Sequence, residues 1–372
     1  MKQNILFATE HYAELDRYFK ENGIRKFLLV CDSSLPFLKI NEYFSTLSER
    51  TGVSFVPFSD FRPNPLYESV VEGVNVFREG RCDAIAAVGG GSAMDVAKCI
   101  KLYATLDPSE NYLKQEIVSN AIPLLAMPTT AGTGSESTRF AVVYYNGEKQ
   151  SVAHESCIPS TVLLDPGALA TLPAYQKKAT MMDAFCHSIE SFWSVNSTEE
   201  SRRYSEAGIR GVMEHMEGYL SNTGEGNKNM LLAANSAGKA INITETTACH
   251  AMSYKITSLY GIAHGHSAAI CLPHVWRFML SHPDQCADSR GWNAVQDAFC
   301  KIAHCMGASS PEEAVEAFEG LLKRLELNPP APRPGDLELL ASSVNPVRLK
   351  NNPVTLREKD LYELYRQILS VS

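Results

Sequence analysis

A carboxylate and an imidazole stand four residues apart in the segment DAFCH, as Asp183 and His187. On a helix, positions four apart lie on one face, so both side chains can point at the same ligand. Carboxylate oxygens and imidazole nitrogens are both common metal ligands. These five residues alone also allow a purely structural role. Asp183 and His187 could pair with each other within the helix, or His187 could be a hydrogen-bonded core histidine.

The segment TTACHAMSYKITSLYGIAHGHSAAICLPHVW carries more histidines. His250 and His264 would extend the first pair to one carboxylate and three imidazoles, a ligand set that suits a divalent transition metal such as Fe or Zn. Such a site keeps a net positive charge. It can therefore act as a Lewis acid on a carbonyl or alkoxide oxygen.

A glycine turn, GGGS at 89–92, lies between a predicted strand and a predicted helix. Glycines let the backbone approach a phosphate closely, and the helix N-terminus supplies free N–H groups. The turn lacks the GxGxxG fingerprint, so a tight turn without a ligand is the alternative.

A second polar loop, TTAGTGSES, follows another predicted strand. Its hydroxyls suit a loop that wraps a polar ligand, and they belong to Thr129, Thr130, Thr133 and Ser135. A capped loop without a ligand is the alternative. Asp32 ends the strand KFLLVCD, where a carboxylate can bind ribose hydroxyls and repel a 2′-phosphate, which favours NAD over NADP. Capping of the next helix is the alternative for Asp32.

The elements that must position these groups differ between the two halves of the chain. In residues 1–173 short apolar runs alternate with helical patterns, which predicts an α/β domain with a Rossmann-like, doubly wound parallel sheet. From 174 to 372 the patterns are long and helical, which predicts an all-α domain for metal and substrate. The clearest strand predictions are 26–32, 53–58, 122–130 and the segment 82–92, in which the strand runs into the glycine turn.

Composition excludes several classes of protein. The chain has 372 residues and a net charge of −8, without a block of Lys or Arg that would bind nucleic acid. No apolar run approaches the length of a membrane span, and the first residues lack a signal-peptide pattern. We therefore expect a cytoplasmic protein with a small-molecule substrate, no nucleic-acid partner and no membrane partner.

Four motifs together, GGGSAMDVAK, MPTTAGTGSES, DAFCHSIES and the histidine segment, resemble the iron-containing (group III) alcohol dehydrogenases over nearly the whole chain. The resemblance implies the architecture shared with dehydroquinate synthases, a homodimer, and Fe(2+) or Zn(2+) on Asp183, His187, His250 and His264. It also implies NAD(H), with NADP(H) not excluded. The implied cofactor residues are Asp32, Gly89, Gly90, Gly91, Ser92, Asp95, Thr129, Thr130, Thr133, Ser135 and Lys149.

One position departs from the family pattern. Many members carry a histidine four residues after the third ligand, where it is assigned to proton transfer, and this chain has Tyr254 there. A tyrosine with an ordinary pKa of about 10 is a slower relay near neutral pH. His266 and Tyr254 are therefore the candidate catalytic residues, with water or a ribose hydroxyl as alternatives.

The segments HAMSYKITSLYGIAHGHSAA and VNPVRLKNNPVTL look most like the phosphonoacetaldehyde reductase branch, whose members form 2-hydroxyethylphosphonate. A phosphonate needs cations, and the candidates are Arg139, Lys255, Arg348 and Lys350. The alternative for each of them is a solvated surface charge. The alternatives are a short-chain primary alcohol dehydrogenase, a dehydroquinate synthase-like NAD/Zn lyase, and a nucleotide-binding protein with a structural metal.

Overall fold

The computed structural model describes residues 3–370, which form two compact units. Unit 1 holds the parallel sheet and unit 2 is helical. Unit 1 comprises the described residues up to Thr130, Gly134–Leu172 and Asn222–Leu231. Unit 2 comprises Ala131–Thr133, Pro173–Ser221 and the described residues from Leu232 onward.

The described part of unit 1 contains eight strands. They are β1 (Asn4–Phe7), β2 (Lys26–Cys31), β3 (Ser54–Phe58), β4 (Ala84–Gly89), β5 (Leu124–Pro128), β6 (Phe140–Tyr145), β7 (Glu148–Ala153) and β8 (Thr161–Leu164). Six of them form a fully parallel sheet in the order β1-β8-β5-β4-β2-β3. Strands β6 and β7 form a separate antiparallel pair.

Helices cover both faces of the parallel sheet. The first four are α1 (Ala13–Glu21), α2 (Ile40–Thr51), α3 (Tyr67–Glu79) and α4 (Gly91–Tyr103). On one face the ring of Phe27 lies 5.0 Å from that of Phe19 in α1 and 6.1 Å from that of Phe44 in α2. Helices α3 and α4 pack on the other face against β3, β4 and β5. The predicted doubly wound α/β fold is confirmed.

Burial on both faces explains why the central strands are continuous apolar runs. Every residue of β4 (AIAAVG) and β5 (LLAMP) is buried, as expected for the centre of a parallel sheet. Between β6 and β7 the turn at Asn146 and Gly147 has positive φ at both residues, which suits the twist of a two-residue hairpin.

From residue 174 onward the described chain is helical, which confirms the prediction for the second half. The helices are α5 (Ala174–Trp193), α6 (Glu199–Leu220), α7 (Gly224–Thr244), α8 (Ala248–Tyr260), α9 (His264–Ser281), α10 (Trp292–Cys305), α11 (Pro311–Arg324), α12 (Asp336–Ser343), α13 (Pro346–Leu349) and α14 (Glu358–Ile368). No helix within residues 3–370 combines the length and apolar character needed to cross a membrane.

Helix α5 is the central helix of unit 2. It packs against α6 and α9, and every residue from Met181 to Trp193 is buried. At its end, Trp193 contacts the ring of Trp276 at 5.5 Å and that of Phe299 at 5.9 Å. A helix buried on all sides is rigid and dry, so polar residues on it need specific partners.

Candidate metal centre and cofactor loops

Three side chains of unit 2 form a buried group of potential metal ligands. Asp183 and His187 lie one turn apart on α5, and His250 lies near the start of α8. Their ligand atoms all lie within 4.8 Å of one another. His250 Nε2 is 3.4 Å from Asp183 Oδ1, and the rings of His187 and His250 stack with centroids 4.3 Å apart. The predicted pair on α5 therefore faces a third potential ligand from another helix.

His264 borders this group at the first residue of α9. Its ring centroid is 5.3 Å from that of His250, and its charge is among those that act on Asp183. Gly265 allows this approach, because a Cβ there would overlap the Ala179 carbonyl oxygen and lie 2.6 Å from Asp183 Cβ. Any larger residue at this position would push the start of α9 away from α5.

The electrostatics of the group suit a cation. Burial lowers the pKa of His187 to about 4, so its ring is neutral at physiological pH. Burial opposes ionisation of Asp183, but the three surrounding histidines hold its pKa below the ordinary value. His187 Nδ1 is buried and finds no hydrogen-bond partner among residues 3–370. Burial opposes protonation of His250, but Glu190 and Asp183 raise its pKa to about 9, so a metal bound there would displace a proton from this ring. A divalent metal would satisfy the carboxylate and the unpaired imidazole nitrogen in this dry pocket.

Glu190 is a buried carboxylate that the sequence analysis did not select. It lies on α5 and contacts His250 Nδ1, on the opposite side of that ring from Asp183. The signal was present in the sequence, because Glu190 follows Asp183 by seven residues and so lies on the same helix face. What the sequence did not show was the partner on α8.

In unit 1, the glycine turn lies beside Asp32 at the carboxyl ends of the strands. Gly89 ends β4 with a φ of +155°, and a Cβ there would lie 2.7 Å from Asp32 Oδ2. The Thr129 amide donates to the Gly89 carbonyl at 3.1 Å, and Thr130 lies next to Gly90. Helix α4 then begins at Gly91, where its first N–H groups have no helical acceptor. The structure brings these predicted cofactor residues together.

Asp95, another predicted cofactor residue, supports the polar loop TTAGTGSES, called here the hydroxyl-rich loop, through hydrogen bonds. Asp95 accepts hydrogen bonds from Ser135 Oγ at 3.1 Å and from the Val142 amide at 3.2 Å. Burial raises the pKa of Asp95 to about 6, while the charges of Lys98 and Lys149 oppose this rise. Asp32 Oδ1 also accepts from the Ser34 amide at 2.8 Å, but the N-cap of the following short helix, Leu35–Phe37, is Ser34 and not Asp32. Thr133, which was also predicted to bind the cofactor, belongs to unit 2, whereas Thr129, Thr130 and Ser135 belong to unit 1.

Lys98, which the sequence analysis did not select, holds the same loop. It is fully buried, and its Nζ donates to Ser135 Oγ, Thr138 Oγ1 and the Phe140 carbonyl at 2.8 to 3.0 Å. Burial of a charged lysine costs the protein little stability when the ammonium group donates to three acceptors. The loop is therefore held in one conformation by side chains of α4.

The geometry does not support the predicted proton relay through His266. Its Nδ1 lies 3.1 Å from Tyr175 Oη, and its Nε2 lies 3.0 Å from the Asn328 carbonyl. The carbonyl can only accept, so Nε2 carries the hydrogen and Nδ1 accepts from the tyrosine. Both ring nitrogens are occupied by these hydrogen bonds, which leaves neither of them available to relay a proton. Helical spacing separates it from His264, because residues two apart do not share a face.

Tyr254 lies beside His264. The two rings stack with centroids 5.3 Å apart and planes 12° apart. Arg348 donates from Nη1 to Tyr254 Oη at 3.2 Å, and its guanidinium lies 5.1 Å from the tyrosine ring centroid. Burial raises the pKa of Tyr254, although Arg348 opposes the rise. A neutral tyrosine thus separates a cation from a predicted metal ligand.

The other predicted phosphonate cations lie elsewhere. Arg139 belongs to unit 1, pairs with Glu155 at 3.9 Å and stacks on Phe140. Lys350 is exposed, whereas Lys255 is half-buried. Of these four cations, Arg348 donates a hydrogen bond to Tyr254.

Two family profiles match the chain. "Iron-containing alcohol dehydrogenase" matches residues 2–166, and "Fe-containing alcohol dehydrogenase family, C-terminal" matches residues 177–369. The chain is 28% identical over 375 residues to the NAD-dependent methanol dehydrogenase of Bacillus methanolicus, covering 96% of this chain and 95% of that protein. It is 30% identical over 312 residues to the phosphonoacetaldehyde reductase of Streptomyces viridochromogenes, covering 80% and 79%.

A solved structure shares the fold. The sulfoacetaldehyde reductase of Bifidobacterium kashiwanohense, solved with NAD+, superposes with a TM-score of 0.86 and covers 100% of this chain and 98% of its own. The two sequences are 23% identical, so this likeness concerns the architecture alone.

Proposed function

The chain belongs to the iron-containing alcohol dehydrogenase family, and we propose that it reduces a small aldehyde to its primary alcohol with a divalent metal and a nicotinamide cofactor. The observation that carries this proposal is the buried group of Asp183, His187 and His250. His264, next to that group, is the proposed fourth ligand. Fe(2+) and Zn(2+) both suit one carboxylate and three imidazoles.

The side chains around the metal site hold and orient the reacting groups. When bound, the metal polarises a carbonyl oxygen as a Lewis acid, and NAD(P)H supplies the hydride. Burial of Asp183 and His187 keeps water from the ligands and strengthens each electrostatic contact. Tyr254 Oη, which accepts from Arg348, is the proposed side-chain donor of a proton to the product oxygen, with water or a ribose hydroxyl as alternatives.

The cofactor residues of unit 1 favour NAD(H). The glycine turn and the N-terminus of α4 would bind the pyrophosphate, and Thr129 and Thr130 lie next to that turn. The carboxylate of Asp32 would accept from ribose hydroxyls and repel the 2′-phosphate of NADP.

Replacing Asp32 with serine is therefore expected to raise the use of NADPH. The ratio of kcat/KM for NADPH to that for NADH should rise about 10-fold or more, because a like charge opposite the 2′-phosphate costs at least about 1.4 kcal/mol. Steady-state kinetics with both cofactors measure this ratio. The exposed carboxylate of Glu42 gives a control, since Glu42→Gln should leave the ratio unchanged. An unchanged ratio in Asp32→Ser would remove Asp32 from the cofactor site.

For the substrate, we propose an aldehyde that carries an anion, with phosphonoacetaldehyde as the first candidate and 2-hydroxyethylphosphonate as its product. The stack of Arg348, Tyr254 and His264 supports an anionic substrate. In this stack only the ring of Tyr254 lies between the Arg348 guanidinium and His264, the proposed fourth metal ligand. Guanidinium groups bind phosphonate oxygens through paired hydrogen bonds. The relative named phosphonoacetaldehyde reductase agrees with it.

Substrate comparison with the purified enzyme tests both levels of the proposal. Fe(2+)- or Zn(2+)-loaded protein is expected to oxidise NADH with phosphonoacetaldehyde at least about 10-fold more efficiently than with propionaldehyde, given one charged contact worth about 1.5–3 kcal/mol. Equal or better turnover of propionaldehyde would favour a short-chain alcohol dehydrogenase, which the similarity to a methanol dehydrogenase supports. Conversion of the substrate without net consumption of NADH would instead indicate a lyase. Homodimerisation stays a prediction for sedimentation measurements.

A further inference from the structure

Glu190 is a fully buried carboxylate that the proposed reaction does not use directly. It lies on α5, where it has no exposed surface and is surrounded by buried residues of the same helix. A buried carboxylate is costly unless its oxygens accept several hydrogen bonds. The partners of its two oxygens therefore indicate what it does.

One oxygen of Glu190 binds the start of helix α8. Oε1 accepts from the amides of Thr247 at 3.1 Å, Cys249 at 3.0 Å and His250 at 3.3 Å, and from Thr247 Oγ1 at 2.7 Å. Thr247 is the N-cap residue of α8, but it directs its own hydroxyl to Glu190 instead of capping the helix. Glu190 thus caps α8 from another helix, with its charge at the positive end of the helix dipole.

The other oxygen of Glu190 binds the ring of His250. Oε2 contacts His250 Nδ1, while Nε2 of the same ring lies 3.4 Å from Asp183 Oδ1. Four donors on Oε1 and the adjacent helix end favour the ionised carboxylate, which can only accept. Nδ1 must then donate its hydrogen to Glu190. In the neutral ring, this leaves the lone pair on Nε2, the nitrogen that faces Asp183.

We propose that Glu190 is a positioning residue that fixes both the backbone and the tautomer of His250, so that Nε2 is presented to the metal. This inference rests on the proposed metal function. One carboxylate holds the ring through Nδ1 and the backbone through the His250 amide, so the ligand has neither rotational nor tautomeric freedom. Partners of this kind raise metal affinity because they remove the cost of ordering the ligand.

Glutamine at position 190 separates positioning from simple helix capping. Its amide oxygen can still accept from the amides of α8, so the cap and the packing volume remain. Its NH₂ group would then donate to His250 Nδ1, which would move the ring hydrogen to Nε2 and block the ligand lone pair. A residue that only caps α8 would not produce this effect on the metal.

The experiment compares full-length wild type, Glu190→Gln and Thr247→Val. Thr247→Val removes one hydrogen bond from the same carboxylate but keeps the contact with His250 Nδ1. The readouts are the dissociation constant for Zn(2+) by chelator competition, the visible spectrum of the Co(2+) form, and the Tm of the metal-free protein. We expect Zn(2+) binding to weaken about 10- to 100-fold in Glu190→Gln, with an altered Co(2+) spectrum. In Thr247→Val both should stay close to wild type despite a lower Tm.

Wild-type affinity and an unchanged Co(2+) spectrum in Glu190→Gln would overturn the positioning role while leaving the metal function intact. A wild-type protein that binds neither Zn(2+) nor Co(2+) would instead overturn the metal function itself. If Glu190→Gln fails to fold, Glu190→Asp decides, because its shorter carboxylate cannot reach α8 and His250 in the same geometry. Weaker Zn(2+) binding in Glu190→Asp supports the inference, and unchanged binding overturns it.

Discussion

Replacing His264 with alanine is expected to abolish metal retention and turnover together. His264 lies beside the group of Asp183, His187 and His250, and its ring is 5.3 Å from that of His250. If it is the fourth ligand, its loss removes one of three imidazoles. The Lewis-acid contribution to the barrier is several kcal/mol, so kcat/KM should fall at least about 1000-fold.

Metal content and kinetics must be measured on the same preparations. The His264→Ala protein should leave a desalting column with far less than one equivalent of Fe(2+) or Zn(2+), whereas wild type keeps its metal. His304, an exposed histidine in the last turn of α10, provides the matched control. His304→Ala should keep both metal and activity. Full activity of a metal-free His264→Ala protein would end the metal mechanism.

Replacing Arg348 with methionine is expected to remove the preference for an anionic aldehyde. Methionine keeps much of the apolar stem, while the charge above the Tyr254 ring is lost. Loss of one partner of a charged pair costs about 2–5 kcal/mol. The kcat/KM for phosphonoacetaldehyde should therefore fall roughly 30-fold or more, while that for propionaldehyde changes little.

Two further variants make the Arg348 result specific. Lys350→Met removes an exposed cation two residues away and should leave both substrates unaffected. Arg348→Lys keeps the charge but loses the planar fork, so its activity with the phosphonate should lie between those of wild type and Arg348→Met. An equal fall for both aldehydes in Arg348→Met would show that Arg348 supports Tyr254 and His264 rather than the substrate.

Much of the fold followed from local patterns, and two strands did not. The buried runs of β4 and β5 predicted the parallel sheet because central strands are apolar on both faces. Strand β1 has only four residues, with exposed positions at both ends, so it resembled the charged segment around it. Strand β7 (EKQSVA) is polar over most of its length, and pairing with β6 across the Asn146–Gly147 turn is what makes it a strand.

For the site, the sequence by itself determined the types of the candidate ligands and the elements that carry them. The spacing of Asp183 and His187 sets both on one face of a buried helix, and Asp32 and the GGGS turn end neighbouring strands. These statements need only the periodicity of a helix and the direction of parallel strands, which are local properties of the backbone.

Only the tertiary structure decided which polar groups work together. It joined Glu190 to His250 and Arg348 to Tyr254, and it turned His266 toward Tyr175 and Asn328. These partners lie 60 to 94 residues apart in the chain, so helix packing and not sequence spacing brings them together. A buried polar side chain must bind whatever the neighbouring helix presents, and that choice is set by the packing of whole helices.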